Sequence, residues 1–296
     1  MVNYSIIIPH KNSYALLLKL LKTIPNLPEF EVIVVDDCSE SEQIDKLKSN
    51  IFATNVKVIY QSIARGAGAA RNKGIEVAKG KWLIFADSDD YFSGDMNIIV
   101  DEYRNSDADI VYFLCDSVNT VNGERAERHS LYNFYVENFS SKDGEDLLRY
   151  KYTPPWGKMI RRDIVLQNSI LFDEVKTSND VFFSIKVAYY ARIVDVSKKV
   201  LYNITVTSGS LITKMDKEAV DSRYLVALRS NLFLRQIKKH KYQQSILYYC
   251  YKAPSFGLKY FLRFVALAVK YRANPFIGLS KLSSLRRVLS IRESKF

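Results

Sequence analysis

The chain of 296 residues is 48% hydrophobic and 25% charged, which predicts a globular protein with one large domain or one domain and an appendage. Its formal net charge of +11 lies in the tail: from Arg235 onward fourteen Lys or Arg accompany one acid, Glu293, whereas the rest has 29 basic and 31 acidic residues. The nearly neutral body therefore argues against a nucleic-acid-binding protein, although the tail alone carries +13.

The number and spacing of the cysteines, together with the hydropathy pattern, indicate the cellular compartment of the protein. Cys38, Cys115 and Cys250 are widely spaced and odd in number, so we expect free thiols in a reducing compartment. The N-terminus enters an apolar run without the basic region, apolar core and cleavage site of a secretory signal. No window has the roughly 18 uncharged apolar residues of a spanning helix, because basic residues interrupt the nearest candidate, 256–271. A cytoplasmic protein is the resulting expectation.

Strand-like and helix-like segments alternate through the first part of the chain. Short β-branched runs predict strands at 5–8, 32–35, 56–60, 82–86 and 110–114, and helical patterns lie at 16–24 and 69–79. This alternation predicts an α/β fold with a mostly parallel sheet covered on both faces. Ligands bind such sheets at the carboxyl ends of the strands, which here carry the polar segments 9–12, 36–37 and 87–90.

An acidic segment, Asp87-Ser88-Asp89-Asp90, follows the fourth predicted strand. Its three carboxylates repel one another unless a cation lies among them, and oxygen ligands suit Mg²⁺ or Mn²⁺ bound between protein carboxylates and substrate phosphates. An acidic turn that closes the strand is the alternative, because Asp and Ser favour turns and helix N-caps. The segment alone leaves both interpretations open.

Two other segments are ambiguous by themselves. The sequence 66–71 is similar to a dinucleotide fingerprint, but it ends in Arg71 and lacks the acidic residue after a second strand, so we favour a glycine-assisted helix start. Arg71 would then reach a phosphate or a carboxylate at the same sheet edge. Asp180 precedes a helical pattern at 181–185, and capping that helix is its favoured role in isolation.

Taken in chain order, these motifs resemble the family 2 glycosyltransferases of the GT-A fold, which build bacterial capsules, lipopolysaccharide and related glycans. The matching segments are 5–9 with Asn12, 34–39, Gly68 with 70–74, 78–90, 156–158 and 179–183. The resemblance implies a Rossmann-like, mostly parallel sheet flanked by helices in a catalytic domain over 1–220. Residues 1–115 would form its nucleotide-binding half and 116–220 its acceptor-binding half, followed by a helical basic region over 221–296.

The resemblance also implies a UDP-sugar donor and a divalent cation, Mn²⁺ or Mg²⁺. Asp37, with Asp36 beside it, would read the uracil base, since a carboxylate accepts the N3 hydrogen of uracil. Asp87 would lie toward the ribose and Asp89 would be the direct metal ligand. The other residues assigned to the nucleotide sugar are Pro9, Arg71 and Ser88.

On the acceptor side, the resemblance implies that Asp180 is the general base of an inverting single displacement. Asn179 stands where the family commonly has Glu. Asp90 would orient sugar hydroxyls or support its neighbours, Trp156 would stack on a sugar face or pack in the core, and Lys158 would meet a phosphate or a carboxylate. The segment 207–210 matches a polar loop that closes over the diphosphate.

The basic tail suggests a membrane partner. Tyr, Phe and Leu alternate with Lys and Arg, as in 256–265, and each basic residue near an anionic bilayer contributes on the order of 1 kcal/mol. We therefore predict surface-polysaccharide synthesis on the inner face of the membrane, with a glycan acceptor that can be carried on a polyprenyl diphosphate, and no nucleic-acid partner. A packed lid or a solvated basic face are alternatives for the tail. For the chain, the alternatives are a nucleotidyltransferase acting on sugar phosphates or a non-catalytic protein that binds membrane or nucleic acid.

Overall fold

The computed structural model describes residues 2–207 and 216–277. The chain divides into two compact units, 1–214 and 215–296. The boundary predicted at residue 220 instead falls inside a helix, Lys217–Gln236, which belongs to the second unit.

The first unit is built on an eight-stranded mixed sheet. Four strand pairs in it are parallel and three are antiparallel, and the strand order is β3-β2-β1-β4-β7-β6-β8-β5. The strands are β1 (Tyr4–His10), β2 (Phe30–Asp36), β3 (Val56–Tyr60), β4 (Trp82–Phe85), β5 (Tyr91–Phe92), β6 (Ile110–Asn119), β7 (Lys158–Arg161) and β8 (Val194–Val206).

The four predicted N-terminal strands form the parallel half of the sheet. In its centre Ile6 of β1 lies opposite Val32 of β2 on one side and Ile84 of β4 on the other, and all three are buried. Buried β-branched residues on both faces are typical of parallel strands covered by helices. The carboxyl ends of β1, β2 and β4 consequently lie at one edge, as the sequence predicted.

Helices of the first unit connect and cover the strands. They are α1 (Tyr14–Leu21), α2 (Ser41–Ser49), α3 (Ala67–Val77), α4 (Met96–Asp101), α5 (Ser130–Glu137), α6 (Gly144–Lys151), α7 (Arg162–Gln167) and α8 (Val181–Tyr190).

An aromatic cluster in the core places the start of α8. The ring of Phe183, in the first turn of α8, stacks on Phe172 with centroids 3.7 Å apart and meets Phe85 of β4 edge-on at 5.6 Å. Aromatic side chains bury large apolar areas, and such ring pairs add about 0.5–1.5 kcal/mol each. The residues that precede Phe183 therefore lie beside the carboxyl end of β4.

The second unit is helical, as predicted. It contains α9 (Lys217–Gln236), α10 (Leu247–Lys252), α11 (Leu258–Lys270) and two short 3₁₀ turns. Tyr224 of α9 stacks on Phe264 of α11 at 4.1 Å and donates a hydrogen bond to its carbonyl at 2.9 Å. In the ranges 2–207 and 216–277, no helix is both long and apolar enough to cross a bilayer.

Candidate active site

The two aspartates that end β2 have different surroundings. Asp36 is fully buried, accepts hydrogen bonds from the Ser39 amide at 3.0 Å and hydroxyl at 2.5 Å, and lies 2.8 Å from His10 Nδ1. The Nε2 atom of His10 accepts from the Ser13 amide at 3.3 Å, which leaves the Nδ1 hydrogen for Asp36. Asp36 thus joins the ends of β1 and β2 internally. Pro9, the preceding residue of β1, is buried as well.

Asp37 faces the loop that leads into α3. Its two carboxylate oxygens accept hydrogen bonds from the backbone amides of Arg65 at 2.7 Å and Gly66 at 2.9 Å. Lys11 Nζ lies 4.0 Å away. Because each carboxylate oxygen has two lone pairs, these bonds orient Asp37 and still leave acceptor capacity for a ligand.

Arg71 links two distant parts of the chain at the sheet edge. Its side chain is 6% exposed; Nη2 donates to Asp87 at 2.5 Å and Nη1 to Asn179 at 2.7 Å. The guanidinium also lies 5.3 Å from the ring centre of Phe172. A planar guanidinium suits this two-sided contact, which Lys would not reproduce. Arg71 therefore joins the acidic segment after β4 to the segment before α8.

Glycine permits this contact. A Cβ at Gly68 would lie 2.1 Å from the carbonyl oxygen of Asp173, so only glycine lets α3 approach the 173–179 segment. Gly66, which precedes α3, has φ of +87°, a value that favours glycine. The glycine-assisted helix start predicted from the sequence is confirmed, and its consequence is the position of Arg71.

The acidic segment divides into an open part and a buried part. Asp89 is exposed and Asp87 is half-buried, whereas Asp90 is 4% exposed. The Asp90 carboxylate accepts hydrogen bonds from the Tyr202 hydroxyl at 2.8 Å and the Thr205 amide at 2.7 Å. Burial, followed by repulsion from Asp87 and Asp89, raises the pKa of Asp90 well above its ordinary value.

Asp90 therefore attaches the segment after β4 to β8. Of its two predicted roles, orienting sugar hydroxyls and supporting its neighbours, these contacts match the second. The Tyr202 hydroxyl also accepts from the Asp87 amide at 2.8 Å. Ser88 contacts Ser13, with 2.9 Å between their hydroxyl oxygens. Sequence reasoning missed Tyr202 and Thr205, because β8 lies beyond the part of the chain where strand runs were recognised.

Asp180 lies immediately before α8, as its sequence context predicted. Its carboxylate accepts no hydrogen bond from the first turn of that helix, so side-chain capping does not account for it. The position is half-buried, and burial of the carboxyl raises the pKa of Asp180, while the positive charges of Arg71 and Lys158 oppose the rise. Asp87 adds a smaller repulsion. Asp180 is thus close in space to residues 90 positions earlier in the chain.

Two residues assigned to the acceptor pocket are in the core instead. Trp156 is 2% exposed, with its ring stacked on Tyr202 at 5.9 Å and edge-on to Tyr132 at 5.2 Å, so the packing alternative describes it in this structure. Lys158 is 1% exposed and its Nζ atom contacts protein atoms. Neither side chain offers a surface to a sugar in this structure, because both are almost fully buried.

Asp89 and Asp87 are the carboxylates predicted to hold a metal. Within the described ranges no cluster of three or more His, Cys, Asp or Glu has metal-site geometry. Mg²⁺ and similar ions, however, are often bound by one or two carboxylates together with substrate phosphates. Partial burial of the carboxyl, followed by repulsion from Asp87, raises the pKa of Asp89, although the residue reaches solvent. The positive charge of Arg128 acts in the opposite direction. A cation would relieve this repulsion, so the residues fit a metal shared with a phosphate ligand.

The remaining sequence-predicted element is the polar loop at 207–210. Thr207 is described, whereas Ser208, Gly209 and Ser210 lie outside the described residues.

Comparisons with known proteins agree with this fold. The family model "Glycosyl transferase family 2" matches residues 5–167. TarS of Staphylococcus aureus, a poly(ribitol-phosphate) beta-N-acetylglucosaminyltransferase, is 30% identical over 220 residues, which cover 71% of this chain and 36% of TarS. A Bacillus subtilis protein with the name "Putative glycosyltransferase EpsH" is 26% identical over 234 residues, which cover 72% of this chain and 63% of that protein. This chain therefore spans about a third to two thirds of these relatives.

Solved structures of the S. aureus TarS fragment 1–349 have the same fold. The complex with UDP has a TM-score of 0.66 at 22% identity and covers 99% of this chain and 88% of that fragment. The complex with UDP-GlcNAc has a TM-score of 0.65 at 20% identity, covering 91% and 80%. The predicted GT-A fold is thereby confirmed. With the family model matching more than half of its length, the chain belongs to glycosyl transferase family 2.

Proposed function

We propose that the protein is an inverting, metal-dependent hexosyltransferase that moves a sugar from a UDP-sugar to a glycan acceptor in surface-polysaccharide synthesis. The observation that carries the proposal is the Arg71 bridge, with bonds of 2.5 Å to Asp87 and 2.7 Å to Asn179. It brings Asp87 and the neighbouring Asp89 close to the segment that carries Asp180, at one edge of the sheet. Family membership and relatives crystallised with UDP and UDP-GlcNAc support the donor class.

On the donor side, Asp37 is held by the amides of Arg65 and Gly66 and would accept the N3 hydrogen of uracil. Asp87, oriented by Arg71 and by its amide bond to Tyr202, would face the ribose. Pro9 and Ser88 would contribute through the shape of the pocket. Asp89 and Asp87 would hold Mn²⁺ or Mg²⁺, which when bound neutralises negative charge on the departing diphosphate.

Asp180 would perform the proton transfer. An acceptor hydroxyl oxygen forms the new bond to the anomeric carbon, and the bond from that carbon to the diphosphate oxygen breaks with its electron pair leaving on the diphosphate. The hydroxyl proton passes to the Asp180 carboxylate. Because attack and departure occur on opposite faces, the anomeric configuration inverts. The raised pKa of Asp180 strengthens it as a proton acceptor while Arg71 and Lys158 favour its charged form.

A donor screen tests this function. The purified chain is incubated with UDP- and GDP-sugars, with Mn²⁺ or with a chelator, and the released nucleotide is identified. We expect metal-dependent release of UDP from one UDP-sugar. Release of pyrophosphate from a sugar phosphate and a nucleoside triphosphate would instead show a nucleotidyltransferase.

The second unit carries the features expected of a membrane-facing helix. Four apolar residues of α11 are 44–72% exposed at spacings that place them on one face: Leu258, Leu262, Val265 and Val269. Tyr260 and Phe264 are buried on another face, and the basic residues Lys259, Arg263 and Lys270 lie between these faces on the remaining side. An apolar stripe beside basic residues matches the boundary of an anionic bilayer.

We propose that this face holds the protein on the inner surface of the membrane, where an acceptor on a polyprenyl diphosphate would be available. Arg263 is paired with Asp221 at 2.9 Å, so Lys259 and Lys270 are the better-placed charges. Flotation with phosphatidylglycerol vesicles is expected for the wild type and to be lost in Leu262→Glu/Val265→Glu. Equal flotation of both proteins would rule out this face as the membrane contact, and flotation with neutral phosphatidylcholine alone would rule out the charge contribution.

A further inference from the structure

Lys158 is a buried lysine to which the proposed reaction assigns only an electrostatic effect on Asp180. It begins β7, is 1% exposed, and donates hydrogen bonds to the Tyr152 carbonyl at 3.1 Å and the Ser184 hydroxyl at 3.2 Å. Its Nζ atom also lies 5.3 Å and 5.0 Å from the ring centres of Tyr112 and Tyr152. Burying an ammonium is costly, and an apolar side chain of the same length would pack against these rings without that cost.

The contacts of Lys158 lead directly to the first turn of α8. The Ser184 hydroxyl that accepts from Lys158 donates in turn to the Thr153 carbonyl at 2.6 Å. The Ser184 amide donates to the Asp180 carbonyl at 2.9 Å, which is the hydrogen bond that begins the helix. Lys158 and Ser184 therefore attach the turn that carries Asp180 to the segment before β7.

Electrostatics connect the same residues. Burial lowers the pKa of Lys158 to about 7, and the carboxylate of Asp180, followed by the Cys115 thiol, acts in the opposite direction. The groups that face Asp180 come from four elements: Arg71 of α3, Asp87 after β4, Lys158 of β7 and Tyr132 of α5. Arg71 already has two hydrogen-bonded partners, Asp87 and Asn179, whereas Asp180 is the carboxylate that acts on Lys158.

We propose that Lys158 is a positioning residue for proton transfer: through Ser184 it holds the first turn of α8, and its buried charge keeps the Asp180 carboxylate ready to accept a proton. The inference rests on the proposed role of Asp180 as general base. It differs from the sequence-based assignment of Lys158 to an acceptor pocket, because the side chain acts from inside the core and contacts no sugar.

The experiment compares Lys158→Met with the exposed β8 control Lys198→Met, measuring UDP affinity, donor KM, kcat against pH, and Tm. Lys158→Met is expected to lower kcat about tenfold or more, as loss of support for a general base would. Donor KM and UDP affinity should stay within about twofold, since the donor-binding carboxylates are untouched. The acidic limb of the kcat profile should move to higher pH, because losing the positive charge raises the pKa of Asp180.

The kinetics separate this role from a structural one. Lys158→Met removes the donor to the buried Tyr152 carbonyl and Ser184 hydroxyl, so Tm should fall whether the role is structural or positioning, whereas Lys198→Met should change none of these quantities. A Lys158→Met protein with lowered Tm but wild-type kcat and pH limb would show a purely structural lysine and overturn the proposal.

Ser184→Ala supplies a second test that does not depend on how Lys158→Met folds. It keeps the charge and removes the hydroxyl link, so kcat should fall by about threefold or more while the acidic limb stays within a few tenths of a pH unit. An unchanged kcat in this folded variant would remove the link from the proposal. If Asp180→Asn leaves transfer intact, Asp180 is not the general base. If Asp180→Asn stops transfer but Lys158→Met keeps the wild-type kcat and acidic limb, only the positioning role of Lys158 is wrong.

Discussion

The two sides of the candidate site are constructed differently. On the donor side, Asp37, Asp87 and Asp89 follow parallel strands and are open to a ligand or oriented by backbone amides. On the base side, Asp180 begins a helix whose position depends on aromatic packing and on the buried cation Lys158. The comparison teaches that a site for a charged ligand can be built at strand ends from carboxylates fixed by nearby amides, whereas a side chain that accepts a proton is tuned by desolvation and by charges from distant segments.

The largest expected effect separates the sides by chemistry. Asp180→Asn removes the proton acceptor and should lower transfer by about 10²–10⁴-fold while UDP affinity remains unchanged. Turnover with a defined acceptor and calorimetric titration with UDP measure the two quantities. Asp163→Asn on α7 is the matched acid-to-amide control and should behave as wild type. Wild-type turnover in Asp180→Asn would assign Asp180 a local role only.

The donor side should respond in the opposite way. Asp89→Ala removes an open carboxylate from the metal site, so UDP affinity in Mn²⁺ should fall by about tenfold or more, with little change in affinity when metal is chelated. The exposed Asp95 is the control, since Asp95→Ala removes a carboxylate whose side chain does not cap α4. Metal-dependent affinity that survives Asp89→Ala would exclude Asp89 as a ligand.

Arg71 connects the two sides, so its substitution should affect both. Arg71→Lys keeps the charge but cannot reach Asp87 and Asn179 together, and we expect UDP affinity and kcat each to fall by several-fold to about tenfold. Asn179→Ala should lower kcat more than UDP affinity, because it breaks only the contact to the base side. Arg65→Lys, in the exposed pair with Glu174, is the control. A loss confined to UDP affinity in Arg71→Lys would show that the bridge does not serve the base side.

The smallest effect concerns the packing that lets the two sides meet. Gly68→Ala places a methyl group against the Asp173 carbonyl and should lower the free energy of unfolding by about 1–3 kcal/mol. Gly94→Ala, where an added Cβ meets no atom within 4 Å, should stay within about 0.5 kcal/mol of wild type. Chemical denaturation of both variants measures the difference. Equal stabilities would mean that α3 and the 173–179 segment adjust without cost.

Much of the donor side could be predicted from the sequence. The runs at 5–8, 32–35, 56–60, 82–86 and 110–114 lie within or overlap β1, β2, β3, β4 and β6. In all of these strands except β3, most residues are buried, and burial on both faces leaves a continuous apolar run in the sequence. Polar residues come directly after several of these runs in the sequence, so the polar ends of the strands could be predicted as well. β7 and β8 were not predicted from the sequence. Contacts with other elements fix their polar and aromatic residues, and these contacts leave no regular spacing in the local sequence.

Individual aspartates show the limit of sequence reasoning. Asp36 and Asp37 are adjacent and chemically identical, yet Asp36 is enclosed by His10 and Ser39 while Asp37 meets the loop before α3. Asp89 and Asp90 are also adjacent, yet Asp89 is exposed in a turn while the Asp90 carboxylate is held by Tyr202 and Thr205 of β8. The resemblance left Trp156 either on a sugar face or in the core and predicted a phosphate or carboxylate partner for Lys158, and both side chains are buried in the core.

Local patterns were thus enough to predict the α/β class and the strand ends with their carboxylates, because strand burial and turn chemistry act over a few residues. The family followed from the resemblance of the ordered motifs, and the family model over residues 5–167 confirms it. Tertiary structure decided which carboxylates are open, the approach of Asp180 to Asp87, 93 positions earlier in the chain, through the Arg71 contact with Asn179, and the buried position of Lys158 next to the first turn of α8. Those features depend on desolvation and on charges from separate segments, and these interactions exist only once the chain has packed.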